Sequence, residues 1–131
     1  MSWRIYLSGK ITEMNPNLMA LIQAGIEGYK EMRPFIPRAT LHWPLGLVQH
    51  NDPWGAYAFA AEGRTYLSVW RFGAQTSIEI SCPWIADGKA VEVSCFYPAS
   101  HPVPFTWDGA KKVLFVEMTE ENSARIFRIK G

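Results

Sequence analysis

Acidic side chains are the first candidates for chemistry, because two carboxyl groups held close together can act as a general acid and a general base. Glu27 and Glu31 lie four residues apart in a predicted helix. They fall on its polar face, so both are expected to be solvated helix surface. The remaining acidic candidates lie at predicted turns or point outward from predicted strands: Asp52, Asp87, Asp108, Glu79 and Glu92. The sequence therefore predicts no catalytic residue.

Six tryptophans could support a different chemistry, the stacking of a sugar ring on an aromatic face. Trp70 lies on an apolar strand face, and Trp43 and Trp54 lie in an apolar connector, where an aromatic side chain usually packs. Trp84 and Trp107 are at predicted loop positions, so they are the two candidates for sugar stacking. Scattered exposed aromatic residues are also normal on protein surfaces and need no function.

Histidines and cysteines form no metal-binding pattern. His50 and Asp52 are close in sequence, but two residues do not make a metal site. Cys82 and Cys95 fall on the apolar phase of two predicted strands, and a hairpin turning at residues 86 and 87 would leave them roughly 13 Å apart. A disulfide needs Cα atoms within about 7 Å. We therefore predict two free, buried thiols, a reducing cytoplasmic location, no metal and no cofactor.

Composition and charge exclude several classes of partner. The formal net charge is +1, and the thirteen basic residues are scattered, which predicts no nucleic-acid partner. No run of eighteen apolar residues occurs in the sequence, which predicts no membrane partner. With 48% hydrophobic and 14% aromatic residues, the chain is expected to be globular.

The first 34 residues predict one β-strand followed by one long helix. The strand is Arg4–Leu7, and the helix begins with a capping Asn15 and with Pro16 at the first helical position. Arg33 and Pro34 end the helix, since proline restricts the residue before it. Such a βα unit normally occurs in series, with its strand paired to parallel neighbours. We therefore expect the neighbours of this strand to be encoded upstream of Met1.

Residues 35–131 predict an antiparallel β-sandwich of about seven or eight strands. An irregular, apolar connector over residues 35–53 comes first. Spacings of about eight to twelve residues, with turn residues at each gap, are typical of a sandwich or barrel. The predicted strands are Trp54–Ala61, Arg64–Phe72, Thr76–Cys82, Ala90–Tyr97, Pro104–Trp107, Lys112–Met118 and Ser123–Ile129. The second and the last of these are apolar on both faces, which predicts central positions in a sheet.

Seven motifs in order resemble the C-terminal end of bacterial melibiase-type α-galactosidases, family 36 of the glycoside hydrolases. They cover nearly the whole chain and are Arg4–Gly9, Tyr29–Pro34, Trp43–Leu47, Asp52–Trp54, Thr65–Arg71, Tyr97–Pro98 and Ser123–Arg128. The resemblance implies a (β/α)8 catalytic barrel followed by an antiparallel sandwich. Residues 1–34 would then be the last βα unit of the barrel, and residues 35–131 the C-terminal sandwich.

The resemblance also implies which residues are missing. In that family an aspartate nucleophile and an aspartate acid/base, on earlier barrel strands, cleave terminal α-galactosides with retention of configuration. Such chemistry needs two carboxyl groups about 5–5.5 Å apart, and neither would belong to this chain. Ser8 and Gly9 would follow the eighth strand, at the rim of the substrate site. A tight turn that only lets the chain leave the strand explains them equally well.

The sequence thus predicts a non-catalytic fragment whose sandwich braces the barrel of its parent enzyme. The missing barrel domain is the expected partner, and an α-galactoside is a candidate ligand. The alternatives are a free-standing carbohydrate-binding module, which would use Trp84 or Trp107, and an oligomer-assembly domain. In the isolated chain, apolar surface of the helix and connector is expected to be covered by self-association or by the helix folding back on the sandwich.

Overall fold

The computed structural model describes residues 9–87 and 90–131, and within them the chain is mainly β. One α-helix and eight strands in two antiparallel sheets are present in this described part, which confirms the predicted fold class. The helix is α1 (Pro16–Met32), and the strands are β1 (Thr40–His42), β2 (Trp54–Ala61), β3 (Arg64–Arg71), β4 (Ser77–Ser81), β5 (Glu92–Tyr97), β6 (Phe105–Asp108), β7 (Val113–Glu117) and β8 (Ser123–Lys130). The chain divides into two compact units, one up to Arg38 and one from Ala39 to Gly131.

The first unit contains the predicted helix. The Asn15 side chain accepts a hydrogen bond from the backbone N–H of Asn17 at 2.8 Å, which caps the first turn of α1, and Pro16 occupies the first helical position. Arg33 ends the helix as predicted. The predicted strand Arg4–Leu7 lies outside the described residues. No helix in the described part of the chain is long and apolar enough to cross a membrane.

The second unit contains both sheets. The larger sheet has the strand order β1-β2-β3-β8-β5, and the smaller has the order β4-β7-β6. Strand β3 pairs along its whole length with β2 on one side and β8 on the other. Its residues Thr65–Val69 are all buried, so the predicted central positions of β3 and β8 are confirmed.

A hydrophobic core joins the two sheets into a sandwich. The larger sheet supplies Leu67, Val69 and Phe127, and the smaller sheet supplies Leu114 and Val116, each fully buried. These residues lie at alternate positions of their strands, as expected when one face of each sheet is covered by the other.

One predicted pairing is wrong. The sequence predicts that β4 and β5 form a hairpin through Asp87 and Gly88, but β4 pairs with β7 and β5 pairs with β8, so the two strands lie in different sheets. The chain between them crosses from one sheet to the other. Turn residues show where a strand stops, but they do not show whether the next strand returns beside it.

The cysteines are free, as predicted, although for a different geometric reason. Cys82 directly follows β4 and is fully buried. Burial raises the pKa of its thiol to about 12. Cys95 lies in β5 and is only half-buried, so the prediction of two buried thiols holds for Cys82 alone. Burial also raises the pKa of the Cys95 thiol, against an opposing effect from the positive charge of Arg125.

Two buried arginines hold the turns at one end of the sandwich. The Arg71 guanidinium donates to the carbonyl oxygens of Gln75, Thr119 and Ala74 at 2.9, 2.7 and 3.0 Å. Arg125 donates to the carbonyl oxygen of His101 at 2.9 Å. Charged donors make strong hydrogen bonds, and these connect strand ends to loops that are up to 48 residues away in the sequence.

Candidate functional site

The two candidate rim residues lie at the edge of the described chain. Ser8 is outside the described residues. Gly9 is exposed and has a φ of 106°, a conformation that favours glycine, and its carbonyl accepts a hydrogen bond from Ile11 N–H at 3.1 Å. This local geometry is that of a turn, and the rim role of both residues stays a prediction.

Trp107 lies in a strand, which agrees with the predicted strand Pro104–Trp107 and shows that its assignment to a loop position is wrong. It belongs to β6, is half-buried and packs against the core. Its indole Nε1 is buried and has no hydrogen-bond partner in the described part of the chain. The Asp108 carboxylate does form the predicted turn, since it accepts from the backbone N–H groups of Ala110 and Lys111 at 3.0 Å, but β6 extends through Asp108. The sugar-stacking role of Trp107 stays a prediction.

Trp84 lies in a turn after β4 and is held by two side chains from the larger sheet. Its ring stacks on the imidazole of His42 in β1, with centroids 4.2 Å apart and planes inclined by 13°. Its indole Nε1 donates to the Thr65 hydroxyl in β3 at 3.2 Å. Sequence reasoning found Trp84 but missed His42, because the segment that contains β1 has the proline-rich composition of an irregular connector.

A cleft of about 380 Å³ surrounds Trp84 at the end of the sandwich where β2 turns into β3. Its apolar lining includes Ala60, Ile85 and Ile129 beside the Trp84 and His42 rings. Its polar lining is Thr40, Thr65, Glu62 and Arg64. A second hollow of about 380 Å³ adjoins it, shares Glu62, Gly63 and Arg64 with it, and adds Glu92 and Lys130. Cavities of about 300–1,000 Å³ are the usual size for small-molecule sites.

A second group of exposed apolar residues comes from the connector and from the end of β3. We call it the outer patch and define it as Leu41, Trp43, Leu45, Leu47, Val48 and Phe72, whose side chains are 36 to 66% exposed. Ala56 and Ala58 of β2 point into the core, so Gly55 and Tyr57 point to the opposite face. The Trp43 ring contacts Tyr57, with centroids 5.8 Å apart.

Gly55 marks where two members of the outer patch converge. A Cβ atom added to Gly55 would lie 2.7 Å from Val48 Cγ2 and 3.3 Å from Phe72 Cε2. Val48 and Phe72 therefore cover the same point of β2, although they come from different segments. Val48 and Phe72 at Gly55 and Trp43 at Tyr57 thus cover the outward face of β2, and Leu45 and Leu47 are exposed residues of the same connector.

Several of the acidic candidates have ordinary structural partners. Asp52 accepts from the backbone N–H of Gln49 at 2.7 Å, and Asp87 pairs with Lys112 at 2.8 Å. On α1, Glu27 pairs with Lys30 at 2.8 Å in an exposed position. Within residues 9–87 and 90–131, no group of three His, Cys, Asp or Glu side chains is placed to hold a metal ion.

Comparison with known proteins returns no relative. No protein-family model matches the chain, and no curated protein and no solved structure matches it. The resemblance to family 36 therefore stays a prediction that depends on the order of the motifs in the sequence.

Proposed function

We propose that this chain is the non-catalytic C-terminal part of an α-galactosidase resembling glycoside hydrolase family 36, and that its sandwich braces the catalytic barrel. The outer patch is the observation that carries the proposal. A group of exposed large apolar residues of this kind marks a site of contact with another protein body. Five of its six residues lie in the connector that the sequence predicts to pack against a neighbouring domain.

The energetics favour a permanent contact over a free surface. Burying a large aliphatic or aromatic side chain stabilises by about 1.5–3 kcal/mol as an upper estimate. Six partly exposed residues of this size therefore supply enough binding free energy to hold two domains of one polypeptide together. Domains that are already connected by the chain lose little translational freedom when they associate.

The described acids and thiols support the remaining parts of the proposal. Asp52, Asp87 and Asp108 each stabilise a turn or form an ion pair, which fits a chain that contributes no catalytic carboxylate. The free thiols of Cys82 and Cys95 fit a reducing compartment, so we place the protein in the cytoplasm.

Sequencing the genomic DNA directly upstream of the Met1 codon tests the parentage. We expect an open reading frame that continues for several hundred codons, encodes serial βα units, and places aspartates at the ends of predicted parallel strands. An in-frame stop codon just before Met1, without such a frame, would refute the proposed parent.

A hydrolysis assay with a chromogenic α-galactoside tests the absence of catalysis. We expect no turnover by the isolated chain above the uncatalysed rate. Turnover that disappears when one acidic residue of this chain is replaced by its amide would show a catalytic carboxylate and contradict the proposal.

An oligomer-assembly domain is the second candidate, and the position of the outer patch on a sheet face favours it. Leu47→Ser in the full-length parent distinguishes the two. If the patch braces the barrel, the variant lowers the melting temperature of the barrel without changing the oligomeric state. If the patch joins copies, the variant dissociates the oligomer.

A further inference from the structure

The Trp84 cleft has the features of a built ligand site. Trp84 is fixed by its stack on His42, its hydrogen bond to Thr65 and its packing against the core. An aromatic side chain held in this way presents a rigid apolar surface without an entropic cost at the moment of binding. The turn that carries Trp84 is thus tied to two separate strands of the larger sheet.

Polar groups surround this rigid surface and have capacity to bind a ligand. Within the described residues, no side-chain hydrogen bond or ion pair engages Thr40 or Arg64, and both line the cleft. The Thr65 hydroxyl accepts from the Trp84 indole and keeps its own proton to donate. The cleft therefore offers hydroxyl groups and an imidazole beside two stacked rings, and Arg64 lies at the rim that the cleft shares with the neighbouring hollow.

This combination selects for a neutral, polyhydroxylated ligand. The lining contains one acidic and one basic residue, Glu62 and Arg64, so it is close to neutral, which disfavours a strongly charged anion. A purely apolar ligand would leave the buried Thr65 hydroxyl without an acceptor for its proton, which is costly. A pyranose sugar satisfies both requirements, because its C–H face packs on aromatic rings while its hydroxyl groups both donate and accept.

The neighbouring hollow extends the site. It shares Glu62 and Arg64 with the cleft, and two of its three additional lining residues, Glu92 and Lys130, are charged, while the third is Ala90. A second sugar unit would fit there with little apolar contact. We propose that the Trp84 cleft binds the terminal pyranose of an oligosaccharide, with the next unit in the adjoining hollow. This proposal does not depend on the parentage or on the outer patch.

The test is a titration followed by NMR of the indole N–H signals and by calorimetry. The probes are methyl α-galactoside, methyl α-glucoside and melibiose, each up to roughly 10 mM, which covers the millimolar affinities expected for single sugars. We expect saturable binding of at least one probe, a shift of the Trp84 N–H signal, and tighter binding of the disaccharide. The Trp84 signal is assigned as the one that is missing in Trp84→Phe.

Two cleft variants and one control make the test decisive. Trp84→Ala and Arg64→Ala should each weaken binding at least about tenfold, since each removes one recognition element. Phe72→Ala, which removes a 45% exposed aromatic ring at the far end of the β2–β3 hairpin, should leave binding unchanged. If Trp84→Ala does not fold, Trp84→Phe and Arg64→Ala carry the test.

Two results would overturn the inference. One is the absence of any binding or indole shift with all three probes. The other is binding that Arg64→Ala and the Trp84 variants leave unchanged, or that Phe72→Ala weakens equally. Either result leaves the proposed bracing role intact, because that role depends on the outer patch.

Discussion

Leu47→Ser should weaken self-association of the isolated chain without unfolding it. Leu47 is 66% exposed, more than any other large hydrophobic residue of the outer patch. Its side chain therefore contributes little to the monomer core, and a surface substitution of this kind changes the free energy of unfolding by less than about 0.5 kcal/mol. Its main contribution comes when another molecule covers the patch.

The magnitude follows from the exposed fraction. Full burial of a leucine side chain stabilises by about 1.5–3 kcal/mol, so covering the two-thirds of Leu47 that is still exposed contributes about 1–2 kcal/mol. In a symmetric dimer both copies bury the same residue, which doubles this to about 2–4 kcal/mol. The dissociation constant should then rise roughly 30-fold to 1,000-fold.

Sedimentation equilibrium over a range of concentrations measures this constant, and circular dichroism checks that the variant is folded. The matched control is Phe115→Ser. Phe115 is 36% exposed on β7, so it is also a large exposed apolar residue, but it lies on the outward face of the smaller sheet. The control should associate like the unmodified chain.

Two outcomes would refute the reasoning about the outer patch. The unmodified chain could remain monomeric at concentrations of about 1 mM, where even a weak contact of about 4 kcal/mol is populated. Alternatively, Leu47→Ser and Phe115→Ser could weaken association equally, which would show that general surface hydrophobicity, and no defined patch, drives it.

Three further predictions concern stability. Arg71→Ala should lower the free energy of unfolding by about 2–4 kcal/mol in urea titrations, because it removes a buried side chain that donates charged hydrogen bonds to three loop carbonyl oxygens. The exposed Lys111→Ala should change it by less than about 0.5 kcal/mol. Gly63→Ala should lower the free energy of unfolding by at least about 1 kcal/mol in the same assay, because Gly63 has a φ of 72° and an added Cβ would lie 2.5 Å from the Gly131 carbonyl oxygen. An unchanged urea midpoint would contradict this prediction. Burial raises the pKa of Cys82 from 9.0 to about 12, so the thiol loses its proton at a lower pH in the unfolded chain than in the folded chain. The free energy of unfolding should therefore fall as pH rises from about 9 towards 12, and Cys82→Ala should show a shallower fall.

The strands were predictable because one face of each sheet is buried. Strand β2 matches its predicted bounds, Trp54–Ala61, and the other predicted strands differ from the structure by one or two residues at an end. Alternation of apolar and polar residues reports burial directly, and this signal needs no knowledge of the partner strand.

The partner strands were not predictable from the same signal. Both β4 and β5 present one apolar face, and the inner faces of two packed sheets look alike in sequence. The assignment of β4 to β7 and of β5 to β8 depends on contacts between residues far apart in the chain, such as Ile80 with Leu114 and Cys95 with Phe127. Local turn residues carry no information about such contacts.

The cleft illustrates the same limit at the level of single side chains. Trp84 was predictable as a loop aromatic, since Pro83 and Ala86 flank a break in the strand pattern. His42 was not, because its role depends on β1, a strand of three residues within a segment rich in proline. The stack of His42 on Trp84 exists only once the two sheets have closed on each other.

Strand β1 contributes residues to both the Trp84 cleft and the outer patch. Its position determines which variants can test one surface without affecting the other. Along β1, Thr40 and His42 point toward the cleft, while Leu41 and the following Trp43 belong to the outer patch. A change at Leu41 or Trp43 therefore acts on the backbone that positions His42 and would alter both surfaces. Phe72 lies eight residues from Arg64 along the β3 segment, roughly 26 Å at the usual rise per residue, so it reports on the patch alone. If the two surfaces are independent, Leu47→Ser and Phe72→Ala impair association without impairing sugar binding, and Arg64→Ala does the reverse.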